Sequence, residues 1–330
     1  MKGRRATRVF NAVVLSIGAV ALTILIGRMG IDGVRTVFGR VGWWFAVVAL
    51  IDLASMGCDA FSIHGFLRAQ VPDVRYLPVF AAQASGLAIN RLTPGSTLGE
   101  PAKVTMLVHH VPQDAAVSAI VMFNLVTLFS GIAVIAVGVP ITLLLVDLPP
   151  RLELAVWIAT GALLAIAVGL AVLVRRGAVT SLIDIAASIR VLSAARAARW
   201  RTKIAEIDRQ VRRLGGARRG ILGAVASRIL NSAGTIAMLH ATELPVTPAL
   251  VVAMLSVGIL VTWMADIIPL GLGLADTGNY ALYGALGLAP KAGLDFTMVN
   301  RARTVVIAAI GLVVMALAHL VGRRDAAPHS

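Results

Sequence analysis

Apolar runs of membrane-spanning length alternate with short charged connections along the whole chain, a pattern that predicts an all-α, polytopic integral membrane protein. Full spans are predicted at about 9–26, 43–67, 115–146, 154–174, 221–240 and 305–321, about six in all. Two further stretches are apolar but interrupted. The pieces 77–92 and 98–111 flank a break at Pro94-Gly95, and 248–269 and 274–288 flank a second break rich in proline and glycine. Proline removes a backbone donor and glycine weakens helix, so the freed backbone groups need water, ligand or protein partners. Each pair is therefore predicted to form a re-entrant hairpin lining a cavity, the arrangement expected of a transport site between inverted repeats. The alternative places both breaks at the membrane surface, where Glu100 and Asp276 sit among headgroups or cap the helices that follow.

Orientation follows from the basic residues. Lys2, Arg4, Arg5 and Arg8 precede the first run and put the N-terminus in the cytoplasm. That run is longer than the ~7–15 residues of a signal peptide's apolar region, and Gly27-Arg28-Met29 offers no small-x-small cleavage site, so it reads as a span. Between Arg175 and Arg219 there are twelve Lys/Arg against three acids, and Arg323-Arg324 closes the last span. With both basic blocks cytoplasmic, the first hairpin enters from inside and the second from outside. The chain then reads as one membrane domain, 1–330. Its first half is 1–174 with a hairpin near 77–111, its cytoplasmic basic segment is 175–220, and its second half is 221–330 with a hairpin near 248–288.

Composition agrees: 58% hydrophobic and 14% charged residues, with a mean hydropathy of +0.87, describe a chain whose solvent is mostly lipid. The net charge of +14 is explained by the cytoplasmic excess of basic residues and calls for no nucleic-acid partner. Trp200, Ile204, Ile207, Val211 and Leu214 keep helical spacing within the basic segment. That predicts an amphipathic helix on the anionic inner leaflet, where each basic residue contributes about 1 kcal/mol. Cys58 is the only cysteine, which rules out an intrachain disulfide or a thiolate metal site and suits a bacterial inner membrane.

Ionisable groups at membrane depth are costly and are functional candidates. Asn90, Arg91 and Glu100 bracket the first break, and Asp266 and Asp276 bracket the second. Asp52 and Asp59, seven apart, share one face of the second span, and Arg228 and Asn231, three apart, share one face of the sixth apolar segment. Arg301 and Arg303 lie just before the last span. Other chemistry is absent from the pattern. Gly271-x-Gly273 with Gly278 lacks the spacing of a dinucleotide fingerprint, six histidines are scattered without metal-ligand spacing, and no serine nucleophile elbow occurs. No enzyme activity, metal or cofactor is expected.

The segment N-R-L-T-P-G-S-T-L-G-E-P-A-K from Asn90, with D-I-I-P-L-G-L-G-L-A-D-T-G from Asp266 and N-R-A-R-T from Asn300, resembles the transmembrane flippase-like region of lysylphosphatidylglycerol synthases. The likeness covers nearly the whole chain. It implies a lipid flippase or transporter whose relatives handle aminoacylated phospholipids, polyprenyl-linked sugars or hopanoid-type lipids. In that reading Arg91 and Arg301 or Arg303 meet phosphate, while Glu100 and Asp276 meet cationic or hydroxyl groups. Two departures bear on the substrate: the family's double glycine before the first acid is Leu98-Gly99 here, and its second acid, usually Glu, is Asp276. No aminoacyl-transferase domain follows Ser330 in this sequence, so lipid synthesis is not expected of it. The competing class is a non-transporting membrane partner that anchors or regulates a lipid-synthesising enzyme through the basic segment.

The inverted topology makes a labelling prediction. In a Cys58→Ala background, a cysteine at Ser96 is expected to react with reagent from the cytoplasmic side and one at Leu272 from the outside. Reaction of both from a single side removes the inversion.

Overall fold

The structure, a computed structural model, describes residues 12–24, 26–27, 39, 41–93, 98–176, 217–242, 246–265 and 273–324, with backbone alone at 173–176 and 321–324. The described residues form ten helices and no strand. They are α1 (Ala12–Ile24), α2 (Trp44–Arg68), α3 (Tyr76–Leu92), α4 (Gly99–Leu107), α5 (Gln113–Leu145), α6 (Pro150–Arg176), α7 (Arg218–Ala241), α8 (Pro248–Ala265), α9 (Leu274–Ala285) and α10 (Pro290–Arg324). α6, α8 and α10 each start on proline, where the missing N–H would have had no helical partner anyway. The chain is a multi-pass membrane protein: α2, α5, α6, α7, α8 and α10 are each long and apolar enough to cross a bilayer.

The count of six agrees with expectation, but its membership differs. α1 is short in its described part, whereas α8, expected as half of a hairpin, is 18 apolar residues long, about 27 Å of helix. α10 begins at Pro290, fifteen residues before the predicted start at 305, because Lys291, Asp295, Arg301 and Arg303 mask the apolar pattern of a helix that carries its polar groups inward. α5 continues unbroken through Pro140. The two breaks (94–97 and 266–272), the residues 177–216 with the predicted amphipathic helix at 200–214, and the chain before residue 12 lie outside the described residues.

Packing centres on α2 against α7, which approach backbone to backbone. A Cβ on Gly65 would lie 2.6 Å from the Gly220 nitrogen, and one on Gly223 would lie 2.7 Å from the Ser62 nitrogen. Small residues permit such approach, and hydrogen bonds between the helices replace the hydrophobic driving force that lipid does not supply. Ser62 Oγ donates to the Gly220 carbonyl at 2.6 Å, Ser55 and Ser227 join their hydroxyls at 3.0 Å, and Asn231 Nδ2 donates to Ser55 Oγ at 2.6 Å. α3 packs on α10 and α5 packs on α8. In the second contact Thr142 and Ser256 share a 2.9 Å hydroxyl bond. α1 lies on α3 and α10 through Leu15, Ala21 and Leu22, and α6 lies mainly on α5.

Two large apolar cores result, beside two smaller clusters where α1, α3 and α10 meet. One gathers Phe45 and Val48 from the start of α2, Val139 from the end of α5, Met238 and Leu239 from the end of α7, and Tyr283 and Phe296. The other gathers Phe66 and Leu67 from the end of α2, Val79 and Leu107 from α3 and α4, and Ala116 to Phe123 from the start of α5. The midportions of α2, α5, α7 and α10 fall between the cores and carry the polar residues.

The α2–α7 approach predicts that Gly223→Ala, which must push Ser62 away, destabilises the detergent-solubilised protein by about 1–3 kcal/mol. Gly161→Ala on α6, where an added Cβ meets nothing within 4 Å, is expected to stay within about 0.5 kcal/mol of wild type. Thermal unfolding of both variants checks this.

Candidate functional site

A cavity of about 680 Å³ opens between the two cores, lined by residues from every helix from α2 to α10 except α6. Its polar lining includes Asp59, Asn90, Arg91, Glu100, Arg228, Asn231, Asn300, Arg301 and Arg303. Its apolar lining includes Met254, Leu255, Ile259 and Trp263 of α8 with Leu128 of α5, and Trp263 lies beside Arg228, since a Cβ on Gly131 would lie 2.7 Å from the Trp263 ring and 3.1 Å from Arg228 Nη2. A second space of about 70 Å³ shares Asp59, Arg91, Asn300 and Arg303 with the first and adds Asp52.

The first break is closed by Asn90. Its Nδ2 donates to Glu100 Oε1 at 2.9 Å, while its Oδ1 accepts the Gly99 N–H at 2.7 Å, so one amide caps α4 and holds the acid at its start. Gly99 is obligatory, since a Cβ there would lie 2.1 Å from the Gly86 carbonyl. The glycine kept before the acid is thus the one that close approach to α3 demands, and Leu98 occupies the neighbouring position without that constraint. Glu100 is held further by Lys103 Nζ at 2.8 Å, one helical turn away, and by Asn124 Nδ2 of α5 on Oε2 at 3.0 Å. Lys103 is only 3% exposed, and its ammonium lies 5.5 Å from the Phe123 ring centroid. A lysine so buried depends on its carboxylate partner.

The second acid, Asp276, does two things. It accepts the N–H of Gly273, a glycine at φ +84, and so caps α9, and it accepts from Arg301 Nη2 at 2.6 Å. Arg301 lines the cavity, whereas Asp276 stands behind it, outside the lining. Helix capping, the alternative raised for both acids, therefore coexists with ion pairing at Asp276.

Near the α2–α7 crossing, Arg303 grips Asp52 with Nε on Oδ2 at 2.6 Å and Nη2 on Oδ1, a bidentate fork across 251 positions of sequence. Asp59, two turns along α2 from Asp52, takes a 3.4 Å contact from Gln83 Nε2. Arg228 donates Nη2 to the Thr127 carbonyl at 2.9 Å. Among the described residues Arg91 has no hydrogen-bond or ion-pair partner.

The structure thus brings Asn90, Arg91, Glu100, Arg228, Arg301, Arg303 and Asp59 to one cavity, with Asp52 on the adjoining small space and Asp276 one bond behind Arg301. Asp266 lies outside the described residues. His64 bonds the Val74 carbonyl at 3.1 Å, away from the cavity. Three contributors were not anticipated: Lys103, Asn124 and Asn300. Lys103 stands three residues after Glu100, and Asn124 is the one amide in the apolar run 115–146, so both left a signal. Among the described residues no three of His, Cys, Asp or Glu gather into a metal-ion site.

Compared with known families, residues 9–311 match the model described as the lysylphosphatidylglycerol synthase TM region. Searches of curated proteins and of solved structures found no match.

The Glu100–Lys103 pair yields a double-mutant prediction. Glu100→Gln strands a buried ammonium and is expected to cost about 3–5 kcal/mol of stability. Adding Lys103→Met recovers part of it, giving a coupling energy of about 1–3 kcal/mol in a thermodynamic cycle by thermal or denaturant unfolding. Strictly additive effects would mean that the pair contributes nothing.

Proposed function

Since the chain belongs to the family of lysylphosphatidylglycerol synthase transmembrane regions, we propose that it moves a polar-headed lipid between the leaflets of its membrane. The observation that carries this reading is the placement of the cavity's charges: Arg228 lies ten residues beyond the start of a 24-residue spanning helix, about 15 Å from its end. A scaffold needs no charged cavity at that depth, and intramembrane charge is retained where it has work to do. A lining that mixes arginines with the apolar side chains of α8 suits a ligand that is itself amphipathic.

Packing supports an inverted repeat. Exchanging α2, α3, α4 and α5 with α7, α8, α9 and α10 carries the α3–α10 contact onto the α8–α5 contact and leaves the α2–α7 pair on itself. Chemistry follows the same exchange. Glu100, second in α4, is held by Asn124, twelfth in α5; Asp276, third in α9, is held by Arg301, twelfth in α10. In this reading the two helix pairs α3–α4 and α8–α9 enter from opposite sides, both termini are cytoplasmic in a bacterial inner membrane, and one half rocks against the other about α2–α7. In the same reading the basic residues between Arg175 and Arg219 meet the anionic leaflet. No covalent step is required of the protein.

Proteoliposomes carrying fluorescent lipids, quenched by a membrane-impermeant reductant, test the proposal. Wild-type protein is expected to expose inner-leaflet label of at least one headgroup class well above protein-free vesicles. Arg228→Gln, which removes the charge at that depth and whose one described hydrogen bond goes to the Thr127 carbonyl, is expected to lower that rate by an order of magnitude in protein that still elutes as a single species. Protein-free rates for every headgroup would favour the anchoring role instead.

A further inference from the structure

We propose that Asp59 is a proton-binding site, and that its protonation and deprotonation as the halves rock couple lipid movement to a proton gradient across the membrane; the coupling deepens the translocation reading and rests on it. Three of the described carboxylates around the cavity are answered by direct ion pairs. Glu100 has Lys103 at 2.8 Å, Asp276 has Arg301 at 2.6 Å, and Asp52 has the Arg303 fork. Asp59 lines the same cavity and makes no ion pair among the described residues. It is the sixteenth of the 25 residues of α2, about 14 Å from the nearer end of that spanning helix. A carboxyl at such depth without a fixed counter-ion is the kind of group that membrane proteins use to carry protons.

The neighbours of Asp59 fit both of its protonation states. Gln83 of α3 is 2% exposed; its Nε2 stands 3.4 Å from Asp59 Oδ2, and its Oε1 is buried with no partner. Facing a carboxylate, the amide offers its N–H; facing a carboxylic acid, the same amide turned about its last bond offers Oε1 to the acid's O–H. A buried acceptor without a donor is costly, and a proton on Asp59 supplies the donor that Oε1 lacks. The Ser227 hydroxyl of α7, the other polar neighbour, can likewise donate or accept. Among the described carboxylates Asp59 alone lines both the large cavity and the small space beside it, where Glu100 lines only the first and Asp52 only the second.

Charged and titratable groups surround it from every side: Arg91 on α3, Glu100 with its Lys103 on α4, Arg228 on α7 and Arg303 on α10, besides Cys58 and Asp52 on α2 itself. Three arginines oppose a metal ion at a single unpaired carboxylate, whereas a proton needs only one oxygen. Binding it removes the attraction between α2 and Arg228 of the second half, so the protonation state biases how the halves sit. Gln83 lies seven residues before Asn90 on the same face of α3, and Asn90 caps α4 and holds Glu100, which links Asp59 to the first break. The bond that forms is O–H on Asp59. Its proton comes from hydronium on one side of the membrane and returns to water on the other, and no electron moves.

The test uses the full-length protein in phosphatidylcholine proteoliposomes, with the membrane potential clamped by valinomycin in symmetric potassium. Fluorescent phosphatidylglycerol, phosphatidylethanolamine and lysylphosphatidylglycerol are the separate probes. At one proton per lipid, a gradient of one pH unit shifts the ratio of a probe between leaflets by up to about tenfold. Wild-type protein is expected to approach that shift with at least one probe, and a protonophore to abolish it. Infrared titration of the same protein reads the site directly: acidification should raise a carboxylic C=O band that Asp59→Asn removes. Asp59→Asn should also leave the leaflets equal under the gradient, and Asp59→Glu should restore at least part of the shift. Where Asp59→Asn does not fold, Gln83→Leu decides, since loss of the amide must move the frequency of the band, and an unmoved band overturns the inference. Probes that cross but stay equal in the two leaflets under the gradient overturn the inference and leave translocation standing. A band that depends on Asp59, with no movement of any probe, would uphold the proton site and defeat the transport reading, so the two fail separately.

Discussion

Charge buried in a low-dielectric interior must be answered by charge or by hydrogen bonds, and that requirement organises this protein more than any apolar contact does. Asp52 is 7% exposed and Lys103 is 3% exposed, and each is tolerable only because a partner from another helix or another turn meets it. Those partnerships in turn need helices at fixed separation. The glycine-lined approach of α2 to α7 sets that separation and brings Ser55, Ser227 and Asn231 into one hydrogen-bonded group. A wider crossing would still bury Leu and Val well enough, but the hydroxyls at its centre could no longer reach each other.

The polar layer also explains the shape of the apolar packing. Because charged and amide side chains occupy the stretch between them, the two largest apolar clusters lie toward opposite ends of α2, α5 and α7, while the middle of α10 packs into two smaller clusters with α1 and α3. Each cluster draws on both halves of the chain: Phe45 and Val139 meet Met238 and Tyr283 in one, and Phe66 and Ala119 are packed against Ile221 in the other. Both halves therefore contribute to each cluster, with α3 on α10 and α8 on α5, and the cavity lies between the clusters.

Most of the fold was legible because lipid imposes a simple code of apolar runs and basic flanks. Reading failed where polar residues serve the interior. The stretch Lys291 to Arg303 reads as a connection, since its charges break the apolar window, yet it is the first part of α10 and supplies Arg301 and Arg303 to the site. Asn90, Arg91, Glu100 and Arg228 were visible as polar groups at membrane depth or at a helix break. What no local pattern could convey is which charge meets which: the fork from Arg303 to Asp52 and the bond from Asn124 to Glu100 depend on long-range packing. The same holds for the second acid, whose residue type is evident in the sequence but whose position behind Arg301, outside the cavity lining, is a matter of tertiary geometry.

The Asp52–Arg303 fork also bears on how the protein is made. Its members are 251 residues apart, and at ~5–20 residues per second a ribosome needs roughly 10–50 seconds to supply the second after the first. During that interval α2 has already been delivered to the membrane with an acid at its middle and no arginine to meet it. The helix must be kept at the insertion machinery, or its carboxyl must find another donor, until α7 and then α10 emerge. Biogenesis of this protein is therefore a matter of timing as much as of hydrophobicity, and a helix synthesised 251 residues later is the one that makes α2 stable in lipid.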